Sequence, residues 1–282
     1  MRVTGGEARM LDSKVAFVFS GGASYAAAQA GMLRAMTAAA IVPDLVVGTS
    51  AGALNAVAFA ADPTDGGVER LIRSWTATRR TDVFPVQPVS LALGLLGRRD
   101  HLVPSTRLEH WLAGNLPVRS LEDTVVPAHV VATDRGSGDP VDLDQGPALP
   151  ALMASTAVPG IFPAVTIGGR NLVDGGLSSD TPIGVGVASG ATRIFVFPSH
   201  APAGLSGSAH SAAALLSYGY RQVLGSWTVA QAEADPTVEI EVLPVPSSGP
   251  SSPFEFSHTA QLIDSASRLT EQWLADQVRW AA

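Results

Sequence analysis

Gly48-Thr49-Ser50-Ala51-Gly52 stands between the apolar run "DLVV" and the alanine-rich "AGALNAVAFAA". A G-x-S-x-G stretch between a strand and a helix has a mechanical meaning. Glycines at both flanks (Gly48 and Gly52) leave room for a strained turn, the serine hydroxyl projects above the sheet, and the following helix aims its N-terminus at the site. The chemistry that suits this arrangement is attack of the serine on a carbonyl carbon, through an acyl-enzyme. The same residues could also cap a helix, with Thr49 or Ser50 as N-cap of residues 51–61.

A nucleophilic serine needs hydrogen-bond donors for the oxyanion it creates. "SGGAS", Ser20 to Ser24, closes the run "VAFVF" and opens the next helical stretch, so the amides of Gly21, Gly22, Ala23 and Ser24 are free to face an anion. A tight strand-to-helix turn would need the same glycines for conformation alone. Adjacent parallel strands would bring both turns to one edge of the sheet, where such folds place their sites.

The proton acceptor is less obvious. The histidines are His101, His110, His129, His200, His210 and His258. His110 and His258 fall in helical patterns and His129 begins a strand, which suits structural roles. His200 ends a strand and is the best histidine partner for Ser50. Asp174, in "NLVDGG", is its rival: a carboxylate at a strand end, before two glycines. A β-turn aspartate ahead of Gly175 would look the same. Residue types alone leave His200 and Asp174 both open.

The elements that must carry these residues are short. "VAFVF" and "LVV" are continuous apolar runs, each followed by a helix, which predicts a parallel sheet buried on both faces. Further strands are expected at 128–133, 193–199 and 238–245, and helices at 66–78, 105–115, 209–231 and 257–279. Gly-, Pro- and Ser-rich 135–150 and 246–253 are expected as loops. The expected architecture is a three-layer α/β/α domain with a mainly parallel central sheet over 15–282, after a tail of 1–14. Of the 282 residues 46% are hydrophobic and 15% charged, which suits such a sheet or contact with lipid.

A net charge of −7 argues against nucleic acid as a partner. The absence of cysteine removes disulfides, thiol catalysis and cysteine-bound metal. The N-terminus lacks a signal-peptide core, and no apolar run approaches the ~18–20 residues of a spanning helix. A cytoplasmic protein, at most peripheral to a membrane, is expected. Residues 84–103, "FPVQPVSLALGLLGRRDHLV", are apolar, broken by prolines and closed by Arg98 and Arg99. They suit either a connecting helix packed on the core or a cover over a pocket that touches lipid.

Taken together, the blocks resemble the patatin-like phospholipase family. "FSGGASYAAAQAGMLRAM" (19–36) is similar to its oxyanion block and "VVGTSAGALNA" (46–56) to its nucleophile elbow. "VVATDRGSG" (130–138), "ASTAVPGIFPAV" (154–165), "LVDGGLSSDTP" (172–182) and "FEFSHTAQLI" (254–263) resemble later blocks in the same order. The resemblance implies Ser50 as nucleophile, Asp174 as its base, and an oxyanion hole from the amides of Gly21, Gly22, Ala23 and Ser24. It implies hydrolysis of fatty-acyl esters of lipids, of phospholipase A, lysophospholipase or esterase type, with neither metal nor cofactor. Pro159, Ile161, Phe162 and Leu93 are assigned to the acyl pocket.

The oxyanion loop departs from the family pattern G-G-G-x-R-G. Ala23 replaces the third glycine, Tyr25 the arginine and Ala26 the last glycine; Asp180 stands where asparagine is frequent. Ala23 must therefore adopt the backbone angle a glycine held. These departures define the alternative, a catalytically weak or silent lipid-binding member of the family. A Ser-His hydrolase or acyltransferase is the third reading.

Overall fold

The structure is a computed structural model that describes residues 13–85, 87–199, 237–247 and 252–281. Among these, eight strands form one sheet: β1 (Val15–Phe19), β2 (Leu45–Thr49), β3 (Ala128–Asp134), β4 (Pro140–Leu143), β5 (Val165–Ile167), β6 (Arg170–Asp174), β7 (Arg193–Phe197) and β8 (Glu239–Val242). The order is β5-β6-β3-β2-β1-β7-β8, with β4 also paired to β3. Strands β3, β2, β1, β7 and β8 run parallel; β6 and β4 pair antiparallel with β3, and β5 antiparallel with β6. The mainly parallel sheet expected from the apolar runs is therefore present, with an antiparallel edge.

Alternation along β1 shows why both faces are apolar. Phe17 and Phe19 point into the larger core with Met32, Leu33, Val57 and Phe59, while Ala16 and Val18 point into a smaller one with Leu45, Val47, Ile183 and Ile194. Helices cover these faces: α1 (Ala27–Ala38), α2 (Ala51–Ala61), α3 (Asp65–Ala77), α4 (Arg80–Val83), α5 (Pro88–Leu95), α6 (Thr106–Asn115), α7 (Ala148–Ser155), α8 (Ile183–Ala188) and α9 (Thr259–Ala281). Helix α9 lies against α1 so closely that a Cβ on Gly31 would sit 2.0 Å from the Ile263 carbonyl oxygen. Only glycine fits there, which accounts for Gly31 in a helix rich in alanine.

Two expectations need correction. The stretch 135–150 is not all loop: it contains β4, which pairs Leu143 with Val130, and the start of α7. The short alternating "PVDL" is an edge strand with half-exposed faces, too brief for a composition signal to show. Residues 84–103 hold only one short helix, α5, and it is not packed on the core as a connecting helix would be. Val89 and Leu95 are each 73% exposed, although both ends of the segment are anchored. The expected helix over 209–231, His200, His210 and most of the 1–14 tail lie outside the described residues.

Candidate active site

The turn between β2 and α2 is strained at the serine. Ser50 has φ 54° and ψ −128°, a left-handed φ that costs a non-glycine residue on the order of 1–3 kcal/mol. Its neighbours make the turn possible. A Cβ on Gly48 would lie 2.6 Å from Ala53 Cα, and one on Gly52 2.4 Å from the Ser20 carbonyl oxygen. Ser50 stands at the N-cap position of α2 but makes no capping bond with its side chain. Its hydroxyl instead donates to Asp174 Oδ2 at 2.8 Å. Thr49 Oγ1 donates to the Ser179 carbonyl at 2.8 Å, so neither side chain caps α2.

Ser155 holds this turn from below. The Ser50 amide donates to Ser155 Oγ at 2.8 Å, and the Ser155 hydroxyl donates to the Val131 carbonyl at 2.6 Å. Ser155 is fully buried at the end of α7. It thus ties the strained residue to β3, the strand between β2 and β6.

Asp174 ends β6, where it pairs across to Ala132, and is 2% exposed. Its amide donates to the Ala157 carbonyl at 2.9 Å, and its carbonyl accepts from Thr133 Oγ1 at 2.8 Å. Oδ1 accepts from the Gly176 amide at 2.8 Å, leaving Oδ2 for Ser50. A Cβ on Gly175 would lie 2.1 Å from the Val131 carbonyl oxygen, so the backbone must be glycine for the strand end to approach this closely. Burial pushes the Asp174 carboxyl up to about 6, against the opposing pull of the Gly176 amide and the Ser50 hydroxyl. The carboxylate is buried, oriented by both oxygens and made more basic than an exposed one.

The loop after β1 lies beside this pair. Ala23 has φ 48°, so the alanine does adopt the left-handed angle its position demands. Gly22 has φ 153°, and a Cβ there would meet Ser199 Oγ at 2.1 Å. The amides are not equivalent. Gly21 donates to the Asp180 carbonyl at 3.0 Å and Ser24 to the Pro253 carbonyl at 3.1 Å. Among the described residues only Gly22 and Ala23, of the four candidate donors, have amides that find no acceptor in the chain. Ser24 and Gly21 thus anchor the loop, and the candidate oxyanion donors narrow to two.

A buried amide network supports the loop from behind. Gln29 Nε2 donates to the Ser20 carbonyl at 2.8 Å and the Phe197 carbonyl at 2.9 Å. Asn55 Nδ2 donates to the Ala26 carbonyl at 2.8 Å and to Gln29 Oε1 at 2.7 Å, and Trp75 Nε1 donates to Asn55 Oδ1 at 2.8 Å. Ser199 also donates to the Gly21 carbonyl. Sequence reasoning missed Ser155, Ser199, Gln29, Asn55 and Trp75. A polar residue set inside an apolar helical run, as Gln29 is in "AAAQAGML", was the available signal.

The described histidines lie elsewhere. His129 Nδ1 is 2.8 Å from an Asp142 oxygen, His258 is 3.2 Å from Glu255, His101 is 2.9 Å from Asp100, and His110 Nδ1 is 2.6 Å from the Thr106 carbonyl. Among the described residues no three His, Asp or Glu side chains converge as a metal site.

A wholly apolar cavity of about 70 Å³ opens beside Ser50 and Ala23, walled by Leu54, Trp75, Phe84 and Phe162 among others. Phe84 stacks on Phe162 with ring centres 5.5 Å apart. Of the residues assigned to an acyl pocket, only Phe162 is in this wall. Pro159 is exposed, Ile161 packs at the edge of the core, and Leu93 sits half-buried on α5. The turn after α7 leaves Pro159 exposed, and no residue of α5 lines the cavity. A larger hollow of about 670 Å³ between α2, α3 and α6 shares Leu54 and Leu112 with the cavity wall.

The sheet thus brings a strained serine and a buried aspartate together at one end of its strands, within hydrogen-bond distance of each other. The family model described as patatin-like phospholipase matches residues 17–187, which take in both turns and Asp174, and the chain belongs to that family. It is similar to an uncharacterized NTE family protein of Mycobacterium tuberculosis, 30% identical over 182 residues that make up 63% of this chain and 29% of that one. A second mycobacterial NTE family protein, also uncharacterized, is 29% identical over 170 residues, 60% of this chain and 44% of its own. The chain thus spans less than half the length of these relatives. The crystal structure of VipD from Legionella pneumophila shares the fold, with a TM-score of 0.52 at 14% identity, over 94% of this chain and 67% of that one.

Proposed function

We infer that this protein is a serine acyl hydrolase that cleaves fatty-acyl esters of lipids through a Ser50–Asp174 dyad. The observation that carries this reading is the 2.8 Å bond from the Ser50 hydroxyl to Asp174, made by a serine held at φ 54° between β2 and α2. Asp174 accepts the proton as Ser50 attacks the ester carbonyl. The amides of Gly22 and Ala23, aided by the N-terminus of α2, stabilise the oxyanion. As the tetrahedral intermediate collapses, Asp174 returns the proton to the leaving alcohol. The same carboxylate then takes a proton from the water that attacks the acyl-enzyme and hands it to Ser50 Oγ as the acyl bond breaks, which releases the fatty acid and restores the hydroxyl.

The left-handed Ala23 supports an active enzyme over a silent homologue, because the loop keeps the angle that glycine would have supplied. The described residues that line the cavity are uncharged, which suits an acyl chain. Helix α5 supports contact with a lipid surface: Val89, Leu95 and Leu96 are 69–73% exposed and Arg98 and Arg99 follow. One flank, Phe84, stands in the cavity wall, and on the other Leu102 and Val103 are bonded to the Gly160 and Ile161 carbonyls, just before the wall residue Phe162.

Turnover of a soluble p-nitrophenyl ester tests the dyad. Ser50→Ala is expected to remove it, and Asp174→Asn to lower kcat by at least about 100-fold, as loss of a general base does. Undiminished turnover in both variants would end the reading.

A further inference from the structure

The site holds a second carboxyl that the dyad does not use. Asp180 is 7% exposed, and its side chain accepts no hydrogen bond from any described residue. Its backbone carbonyl receives the Gly21 amide at 3.0 Å, which joins it to the oxyanion loop. Its side chain leans over the same glycine: a Cβ on Gly21 would lie 2.7 Å from Asp180 Oδ1 and 3.4 Å from Ser50 Cβ. Carboxyl and nucleophile therefore flank one small space next to Gly22 and Ala23, whose amides have no acceptor among the described residues.

The segments around Asp180 are polar but nearly uncharged. Ser20 bonds Thr181 at 2.7 Å, Thr49 donates to the Ser179 carbonyl at 2.8 Å, and Ser199 bonds Gly21. Asp174 is the one charged group among the described residues that acts on Asp180. Two buried carboxyls so placed do not ionise together readily, and they titrate as a pair. Asp174 has the Gly176 amide and the Ser50 hydroxyl to favour its charged form, whereas Asp180 has neither. Asp174 thus ionises first and Asp180 keeps its proton. Burial, and secondly the charge on Asp174, push Asp180 up to about 7, above Asp174 at about 6.

We propose that Asp180 is a pH-responsive positioning residue of the oxyanion loop: protonated, it lets negative charge develop on the bound ester, and ionised, it opposes that charge and slows acylation. The proposal rests on the reading of Ser50 and Asp174 as nucleophile and base. Its physical basis is that a carboxylate beside the developing oxyanion, in a site with little water, repels it strongly. The proton leaves to solvent and no other bond changes.

The test is the pH profile of kcat/KM on a neutral short-chain p-nitrophenyl ester, from about pH 5 to 9, for wild type, Asp180→Asn and Asp180→Ser. Wild type should rise through about 6 as Asp174 ionises and fall above about 7, approaching tenfold per pH unit as for a single titrating group. Both variants should keep the rise and lose the fall. The same alkaline fall in either folded variant would overturn the proposal, as would a wild-type profile that stays level at high pH, whether or not the variants fold. Failure of the dyad itself reads differently, as turnover that survives Ser50→Ala.

Discussion

Ser155→Ala should damage the site without touching any group that meets substrate. The hydroxyl is buried and serves two backbone groups at once, accepting from the Ser50 amide at 2.8 Å and donating to the Val131 carbonyl at 2.6 Å. Removing it leaves both without a partner, where water has little access. An unsatisfied buried group costs about 1–3 kcal/mol, so the pair should cost about 2–6 kcal/mol. At roughly 2–4 °C per kcal/mol for a large domain, Tm should fall by roughly 4–24 °C. Ser50 also loses the bond that holds its φ of 54°, so its reactivity should fall more than the global stability implies. Thermal unfolding gives the first quantity, and the rate of fluorophosphonate labelling below the transition gives the second. A Tm within 1–2 °C of wild type together with an unchanged labelling rate would refute the reasoning, because it would mean the strained turn is held by something other than Ser155.

Further outcomes follow from particular residues. Ala23→Gly should raise stability by about 1 kcal/mol, since an alanine at φ 48° is strained and glycine is not, and denaturant unfolding will measure it. Leu54→Ala or Leu112→Ala should join the 70 Å³ cavity to the 670 Å³ hollow and shift the ester preference toward longer acyl chains, whereas Leu93→Trp should leave it unchanged. Asp180 also links stability to pH. Its carboxyl rises from 3.8 unfolded to about 7 folded, so its favourable contribution is complete below about 4 and is lost as pH climbs through about 7. That range corresponds to as much as about 4 kcal/mol, so the Tm advantage of Asp180→Asn over wild type should be larger at pH 8 than at pH 5.

The sheet and the reacting pair were visible in the chain because their signals are local. "VAFVF" and the run through Val47 are apolar without interruption, which only strands buried on both faces tolerate, and β1 and β2 are such strands. Ser50 and Asp174 were each marked by glycines, and Gly48, Gly52 and Gly175 prove to be sites of backbone approach under 3 Å. What was not visible depends on distance through space. Ser155 reaches Ser50 from far along the chain, and a lone serine in an apolar helix announces no partner. Gly21 and Ser24 looked as able to receive an anion as Gly22 and Ala23, until carbonyls from Asp180 and Pro253 took their amides. The pocket residues failed for a similar reason, since apolar type does not say whether Pro159 is exposed or whether α5 lines the cavity.

The most direct test of the central claim is the intact mass of the protein after reaction with a fluorophosphonate, compared with Ser50→Ala. The account predicts one adduct on wild type, mapped to Ser50, and none on the variant. An adduct that persists in Ser50→Ala, or wild-type protein that turns over esters while Ser50 stays unlabelled, would contradict it.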